Sequence, residues 1–287
     1  MANKIIVYYQ TFCSIAPLLQ KPYPVTHIHL SSIHFGTNSD STPYIHLNNY
    51  SPDDPKFDSV WKELTQASKL GIKIVLMVGG AGGAFGDLFS NFDTYYKLLH
   101  DTIKKYPIIC GIDLDVEESV NVDDIKMLIN KIDNDFGSKF IISMAPVAYA
   151  LEGSEPGFGG FVYKDLYKTA EGQRINYFNG QFYGCFDFET YDNVIKNGFP
   201  ADKVVIGMIS GDFNSSNFIT ALNTVKNIQN KYPEFAGVFN WEYFDSPPDA
   251  PAHPENWAIK MQNTLYPPLS RFCRQIIFHL YKTFFVW

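Results

Sequence analysis

The chain has 287 residues, 46% hydrophobic and 18% charged, with a formal net charge of -7 and a pI near 5.5. That length suits one large domain, and the acidic balance argues against nucleic acid or an anionic membrane as the main partner. Four cysteines, Cys13, Cys110, Cys185 and Cys273, have neither metal-type spacing nor close pairs, so no disulfide framework is expected. Aromatic residues reach 16%, enough both to fill a core and to line a cleft. The apolar run Ile5 to Tyr9 turns polar too soon for a signal-peptide core, and no small-residue cleavage site follows it. Cytoplasmic synthesis is the default expectation, with non-classical export as the alternative.

Strand, loop and helix recur at roughly 30-residue intervals, the pattern of an α/β chain folded as a single (β/α)8 TIM barrel. The barrel is expected over residues 1–266. The first strand is predicted at Lys4 to Tyr9 and ends in the pair Tyr8 and Tyr9, with a short helix over Ser14 to Gln20. The second strand runs from Val25 to Phe35 and carries an H-x-H pair, His27 and His29. Such a pair on an early barrel strand binds metal in some hydrolases. Here it lies near the strand's start, and no downstream Lys, His and Asp series completes a site. His27 and His29 are therefore read as structural, His34 as the histidine placed for a cleft, and neither a metal nor a cofactor is expected. The long polar connection Gly36 to Asp54 has room for a small hairpin around Tyr44 and His46.

Asp54-Pro55 opens a helix with an acceptor before a first-turn proline. Val60, Leu64, Ala67 and Leu70 keep helical spacing, and Gly71 ends it. The third strand, Lys73 to Val78, runs into Gly79-Gly80-Ala81-Gly82-Gly83, which lacks the Gly-Lys-Ser/Thr ending of a phosphate loop. After a helix over Asn91 to Lys105 comes the stretch that organises the chain, Ile108 to Glu118. Alternation along a strand puts Ile112, Leu114 and Val116 on one face and Asp113, Asp115 and Glu117 on the other. Buried carboxylates are costly unless paired, and three in a column repel one another. Such a column persists where protons are shared along it or where it performs chemistry. An exposed acidic edge strand is the other reading, but the β-branched and Leu partners suit a strand covered on both faces.

The rest follows the same alternation. A helix is predicted over Val122 to Phe136, a strand over Phe140 to Met144 ending Ala145-Pro146, and a Gly- and Pro-rich surface loop over Glu152 to Gly160. A strand over Ile175 to Tyr183 sets Gln181 and Tyr183 on one face. Then come a strand at Val204 to Ile209, a helix at Ser216 to Tyr232, a strand at Gly237 to Asn240 ending in Trp241, and a last helix at Glu255 to Leu265. The tail 267–287 is basic and aromatic, and too broken by charge for a stable membrane span. An interfacial helix and a surplus chain end are its two readings.

Asp113, Asp115 and Glu117 resemble the D-x-x-D-x-D-x-E signature that ends the fourth barrel strand of glycoside hydrolase family 18, the chitinases and endo-β-N-acetylglucosaminidases. The aromatic pair Tyr8 and Tyr9, Gly79-Gly80, Met144 before Ala145-Pro146, Gln181-x-Tyr183 and Trp241 fall in order at the family's other strand ends. Two positions depart: Cys110 replaces the pattern's first Asp, and Gly184 stands where many members have Asn or Asp. The context of the column and of Trp241 to Phe244 looks most like a fungal and bacterial subgroup of single-domain members.

The resemblance implies a retaining glycosidase acting on β-1,4 bonds next to N-acetylglucosamine, in chitin or chitooligosaccharides. Glu117 would protonate the glycosidic oxygen, its protonated form favoured by neighbouring acid and partial burial. Asp115 would orient the substrate's acetamido group as it becomes an oxazolinium ion, Tyr183 would hold the acetamido carbonyl, and Asp113 would exchange a proton with Asp115. Tyr8, Tyr9, Gly79, Gly80, Met144, Gln181 and Trp241 would shape the substrate site, Trp241 as a floor under the sugar ring and joined to Glu242 by a cis bond. The same residues would serve an endo-β-N-acetylglucosaminidase acting on N-glycan chitobiose cores. A barrel of this kind could also have lost catalysis and act as a lectin or inhibitor. The expected partner is an N-acetylglucosamine-containing oligo- or polysaccharide, with no nucleic acid, and the chain is expected to be a monomer.

Overall fold

A computed structural model describes residues 3–267, so the readings of the tail beyond Pro267 lie outside the described residues. The strands are β1 (Lys4–Tyr9), β2 (His27–Thr37), β3 (Pro43–Leu47), β4 (Lys73–Gly79), β5 (Ile109–Asp115), β6 (Ile141–Met144), β7 (Tyr177–Gln181), β8 (Val204–Ile209) and β9 (Gly237–Trp241). All of these but β3 run parallel, and β1 pairs with both β2 and β9, so among the described residues eight parallel strands close into a barrel. This is the expected single (β/α)8 barrel. β3 lies antiparallel to the upper half of β2, with His34 opposite His46. It is the hairpin anticipated in the long polar connection.

The helices are α1 (Asp58–Lys69), α2 (Phe85–Ser90), α3 (Phe92–Lys105), α4 (Val122–Phe136), α5 (Ala148–Glu152), α6 (Tyr163–Tyr167), α7 (Ala170–Arg174), α8 (Phe188–Lys196), α9 (Phe218–Lys231) and α10 (Glu255–Leu265). The longer ones match their predicted spans closely. Local chemistry sets their ends. Asn121 caps α4 by accepting from Asp123 N at 3.0 Å, and Gly137 closes it at φ 80°. The sequence reading missed α2 and α5 to α8. Most of these are only five or six residues long, too short to display a helical period.

Alternation divides the apolar residues into two cores. Val7, Leu30, Leu76, Leu114, Ile206 and Val238 point outward into the layer under the helices. Ile6, Tyr8, Met77, Tyr177, Val205 and Phe239 point inward and fill the barrel. Phe239 fits because Gly207 beside it has no side chain: a Cβ there would lie 1.8 Å from the ring. Each buried aliphatic side chain of the outer layer contributes about 1.5–3 kcal/mol. This frame presents the C-terminal ends of the strands, and the column on β5, at one mouth of the barrel.

Candidate active site at the mouth of the barrel

Asp113 lies deepest in the column, with no exposure. Its Oδ1 accepts from Ser143 Oγ at 2.6 Å and from Asn179 Nδ2 at 3.1 Å, and its Oδ2 accepts from the Tyr8 hydroxyl at 2.6 Å. His29 Nδ1 stands 3.3 Å from the same Oδ2. Burial alone would raise this carboxyl. The charge of His29 and the hydrogen bonds around it outweigh burial and hold Asp113 below the usual carboxylate range. Asp115, one step up the column, is also buried, and of its surroundings only Gln181 Nε2, 3.1 Å from Oδ1, favours the charged form. Burial first, then repulsion from Glu117 and Asp113, hold it well above the usual range. Two neighbouring carboxyls are thus pushed in opposite directions, Asp113 down and Asp115 up.

Glu117 follows the end of β5 and is half-buried at the mouth. Gln181 Nε2 reaches its Oε1 at 3.3 Å and also donates to Ala145 O at 2.8 Å, so one amide group braces the upper column against β6 and β7. Tyr183 stands just past β7, half-buried. Burial, then the charges of Asp115 and Glu117, push its hydroxyl well above the usual phenol range, so it remains a proton donor. Gly184 follows it at φ 72°, and its N–H donates to Asp212 Oδ2 at 2.6 Å. That contact places a carboxylate from the end of β8 beside the position where the family pattern has a polar side chain.

Gly79 and Gly80 leave β4 at φ 95° and 84°. Gly80 N donates to Asp115 O at 2.8 Å, and a Cβ on Gly79 would lie 2.3 Å from that same oxygen. Only glycine permits this approach. The loop beyond is held by Glu118, whose Oε1 accepts from Ala84 N and Phe85 N at 2.5 Å each. Across the mouth, the Trp241–Glu242 peptide is cis, as the resemblance implied, and the half-buried Trp241 ring lies 5.3 Å from that of Tyr8. Glu242 turns the other way and accepts from Gln10 N, Thr11 N and Thr11 Oγ1. A cleft of about 720 Å³ is lined by Gln10, Thr11, His34, Tyr44, His46 and Gly83, among others. His34 is fixed in its wall by Gly83 O at 2.7 Å and Ser32 Oγ at 2.8 Å.

Asp113, Asp115, Glu117, Gly79, Gly80, Gln181, Tyr183 and Trp241 are brought together. Three of the residues anticipated as substrate contacts are placed otherwise. Tyr9 points into the outer layer, where its hydroxyl donates to Cys13 O at 2.7 Å, because consecutive strand residues cannot both face the lumen. Met144 packs in the same outer layer, and its neighbour Ser143 faces inward. Tyr8 does face inward, but its hydroxyl is engaged by Asp113 and Asn179. Sequence reasoning missed His29, Ser143 and Asn179 as partners of the column, and Glu118 and Glu242 as loop anchors. Strand parity could have found Asn179, two residues before Gln181. Cys110 donates from Sγ to Ile74 O at 3.4 Å, with burial raising its thiol.

No protein-family model matches the chain. Over 213 residues, 64% of the chain, it is 24% identical to Chitinase 2 of Rhizopus oligosporus, and it spans 36% of that relative's length. A fungal endo-β-N-acetylglucosaminidase of glycosyl hydrolase family 18 superposes with a TM-score of 0.83 at 33% identity, covering 93% of this chain and 99% of that one. The chitinase ChiC of Aspergillus fumigatus superposes at 0.77 with 30% identity, over 92% of this chain and all 100% of its own. Identity at this level across almost the whole of both solved chains, together with the acidic column at the end of β5, shows that the chain belongs to glycoside hydrolase family 18, a family of glycosidases.

Proposed function

We propose that the chain is a retaining glycosidase that cleaves the β-1,4 bond next to an N-acetylglucosamine, with the substrate's own acetamido oxygen as nucleophile. The observation that carries this reading is the placement of Asp115. It is buried in the column below Glu117 with its Oδ1 accepting from Gln181 Nε2 at 3.1 Å, and burial and the neighbouring acids push its carboxyl up, which suits a group that orients an amide and not one that attacks carbon. Retaining enzymes of the two-carboxylate kind need an ionised carboxylate in that role; this family is an exception to that scheme.

In the first step the half-buried Glu117 gives its proton to the glycosidic oxygen, and the bond from that oxygen to the anomeric carbon breaks. The acetamido carbonyl oxygen closes onto the same carbon, forming an oxazolinium ion. Asp115 holds the acetamido N–H, and the Tyr183 hydroxyl donates to its carbonyl. Trp241 supports the apolar face of the ring. Water then attacks the anomeric carbon, gives its proton to Glu117, and the acetamido group is released with configuration retained.

Chitin and chitooligosaccharides are the first substrate class, in keeping with the chitinases among the relatives. Action on the chitobiose core of N-glycans is a second reading, favoured by the likeness to the fungal endo-β-N-acetylglucosaminidase. Release of fluorophore from chitobiose and chitotriose glycosides, beside cleavage of a high-mannose glycopeptide, separates the two. Glu117→Gln should lower either activity by about 10²–10⁴-fold, the usual contribution of general acid catalysis. A wild type inert on all three substrates would sink the reading.

A further inference from the structure

Tyr183 stands on a tight turn. Cys185 N donates to Phe182 O at 3.2 Å, so Phe182 to Cys185 form a hydrogen-bonded four-residue turn with Tyr183 and Gly184 in the middle. Gly184 takes φ 72°, and Tyr183 stays out of the left-handed region. That combination is a type II turn, which needs a positive φ at its third residue. A type I turn closes with the same outer hydrogen bond, but its central peptide is rotated by about half a turn. The central peptide here joins Tyr183 to Gly184, and its N–H donates to Asp212 Oδ2 at 2.6 Å. We propose that Asp212 is a positioning residue for Tyr183: its carboxylate selects the type II form of this turn and so fixes the backbone that aims the Tyr183 hydroxyl at the substrate. The inference rests on the glycosidase reading for the part Tyr183 plays in the reaction.

The selection is electrostatic. A carboxylate accepting from a backbone N–H makes a charge-assisted bond, roughly twice as strong as a neutral one. In the type I form the same peptide would turn its carbonyl oxygen toward the carboxylate, and two acceptors would face each other. The first residue of the turn is tied to β8, since Phe182 N donates to Gly207 O at 3.0 Å. Asp212 is tied there as well. It closes the short 3-10 turn Ser210–Asp212 that follows β8, and its carbonyl accepts from Asn217 Nδ2 at 3.2 Å. At the head of that short turn the buried Ser210 donates to Glu242 O at 3.1 Å, next to the Trp241–Glu242 peptide. One loop after β8 thus touches the backbone behind both Tyr183 and Trp241. The side chain of Tyr183 has only an edge-on neighbour in Phe239, with ring centres 6.4 Å apart, so its aim depends on the turn beneath it. A Cβ on Gly184 would meet nothing within 4 Å, so φ and not space is what restricts this position.

The test uses the whole protein, labelled with 15N, as wild type, Asp212→Ala and Asp212→Asn. Asp212 is exposed, so these changes leave the core intact. Exchange of the Gly184 amide with water should be about tenfold faster in Asp212→Ala than in wild type, and close to wild type in Asp212→Asn, which keeps an acceptor oxygen. In turnover, Asp212→Ala should lower kcat by about tenfold with KM within about twofold, and Asp212→Asn should recover most of the loss. In a double-mutant cycle, adding Asp212→Ala to Tyr183→Phe should change kcat by no more than about twofold, because the hydroxyl it positions is already gone. Gly184→Val, which is barred from φ 72°, should behave like Asp212→Ala, and Gly184→Asn, which tolerates it, like wild type.

Losses that multiply in the cycle, or a Gly184 amide that exchanges equally fast with and without the carboxylate, would overturn the inference. Should Asp212→Ala not fold, the contrast between Gly184→Val and Gly184→Asn decides it. If the wild type cleaves nothing, the glycosidase reading fails, while amide exchange at Gly184 still decides whether Asp212 selects the turn.

Discussion

The Tyr8 hydroxyl and Asp113 Oδ2 meet 2.6 Å apart in the middle of the barrel, tying β1 to β5 across 105 residues of sequence. The same hydroxyl accepts from Asn179 Nδ2 at 3.0 Å. Tyr8→Phe removes both bonds without emptying the space. Leaving buried polar groups unpaired costs about 1–3 kcal/mol, and urea unfolding should read that loss. Turnover should fall by about tenfold, as a carboxylate short of a donor competes for the column's proton. Tyr9→Phe, in the outer layer, loses only its bond to Cys13 O and should leave kcat within about twofold.

Asp113 and Asp115 should affect stability with opposite dependence on pH. Asp113 is held low, so its contribution is present above the unfolded value of about 3.9 and is lost as pH falls through its folded value. Asp115 is held high, so its contribution is full below about pH 3.9 and is lost as pH rises toward its folded value. Asp115→Asn is therefore expected to exceed wild type in urea midpoint above about pH 4, by a margin that grows with pH. Asp113→Asn should be weaker than wild type near neutrality, with a deficit that shrinks in acid. Unfolding midpoints measured at several pH values check both signs.

Glu118 holds the glycine loop by two backbone N–H groups at 2.5 Å. A Cβ on Gly83 would come within 2.8 Å of its carboxylate. Glu118→Ala should cost about 1–2 kcal/mol in unfolding free energy, in line with loss of a charged cap. Since the loop borders the cleft, KM should rise several-fold while kcat changes less. Equal falls in kcat and kcat/KM would instead place Glu118 in the transition state.

Trp241 should matter mainly for binding. Its ring lies 5.3 Å from that of Tyr8 at the mouth and offers a flat apolar face on which a sugar ring can stack. Trp241→Ala should weaken oligosaccharide binding by roughly tenfold or more by titration calorimetry, and Trp241→Phe by less.

Much of this site was legible one residue at a time. A strand presents alternate residues to opposite faces whatever surrounds it, so Asp113, Asp115 and Glu117 could be aligned, and Leu114 turned away from them, before any partner was known. The same rule, applied strictly, would have separated Tyr8 from Tyr9 and exchanged Met144 for Ser143. Gly79 and Gly80 were visible as glycines, but the reason for them, the 2.3 Å approach of a Cβ to Asp115 O, belongs to the neighbouring strand. The short helices α5 to α7 gave no periodic signal and form where tertiary contacts hold them.

Local order along the chain was therefore sufficient to place three acids on one face of a barrel strand and to set an aromatic floor and a glycine pair at neighbouring strand ends. It could not assign their protons. Those depend on Tyr8, His29, Ser143, Asn179 and Gln181, which reach the column from β1, β2, β6 and β7. Donors that lie 30 to 105 residues away in sequence decide which buried carboxyl is charged. A charge in a dry interior answers to every group within a few ångströms, and only the closed barrel brings those groups together.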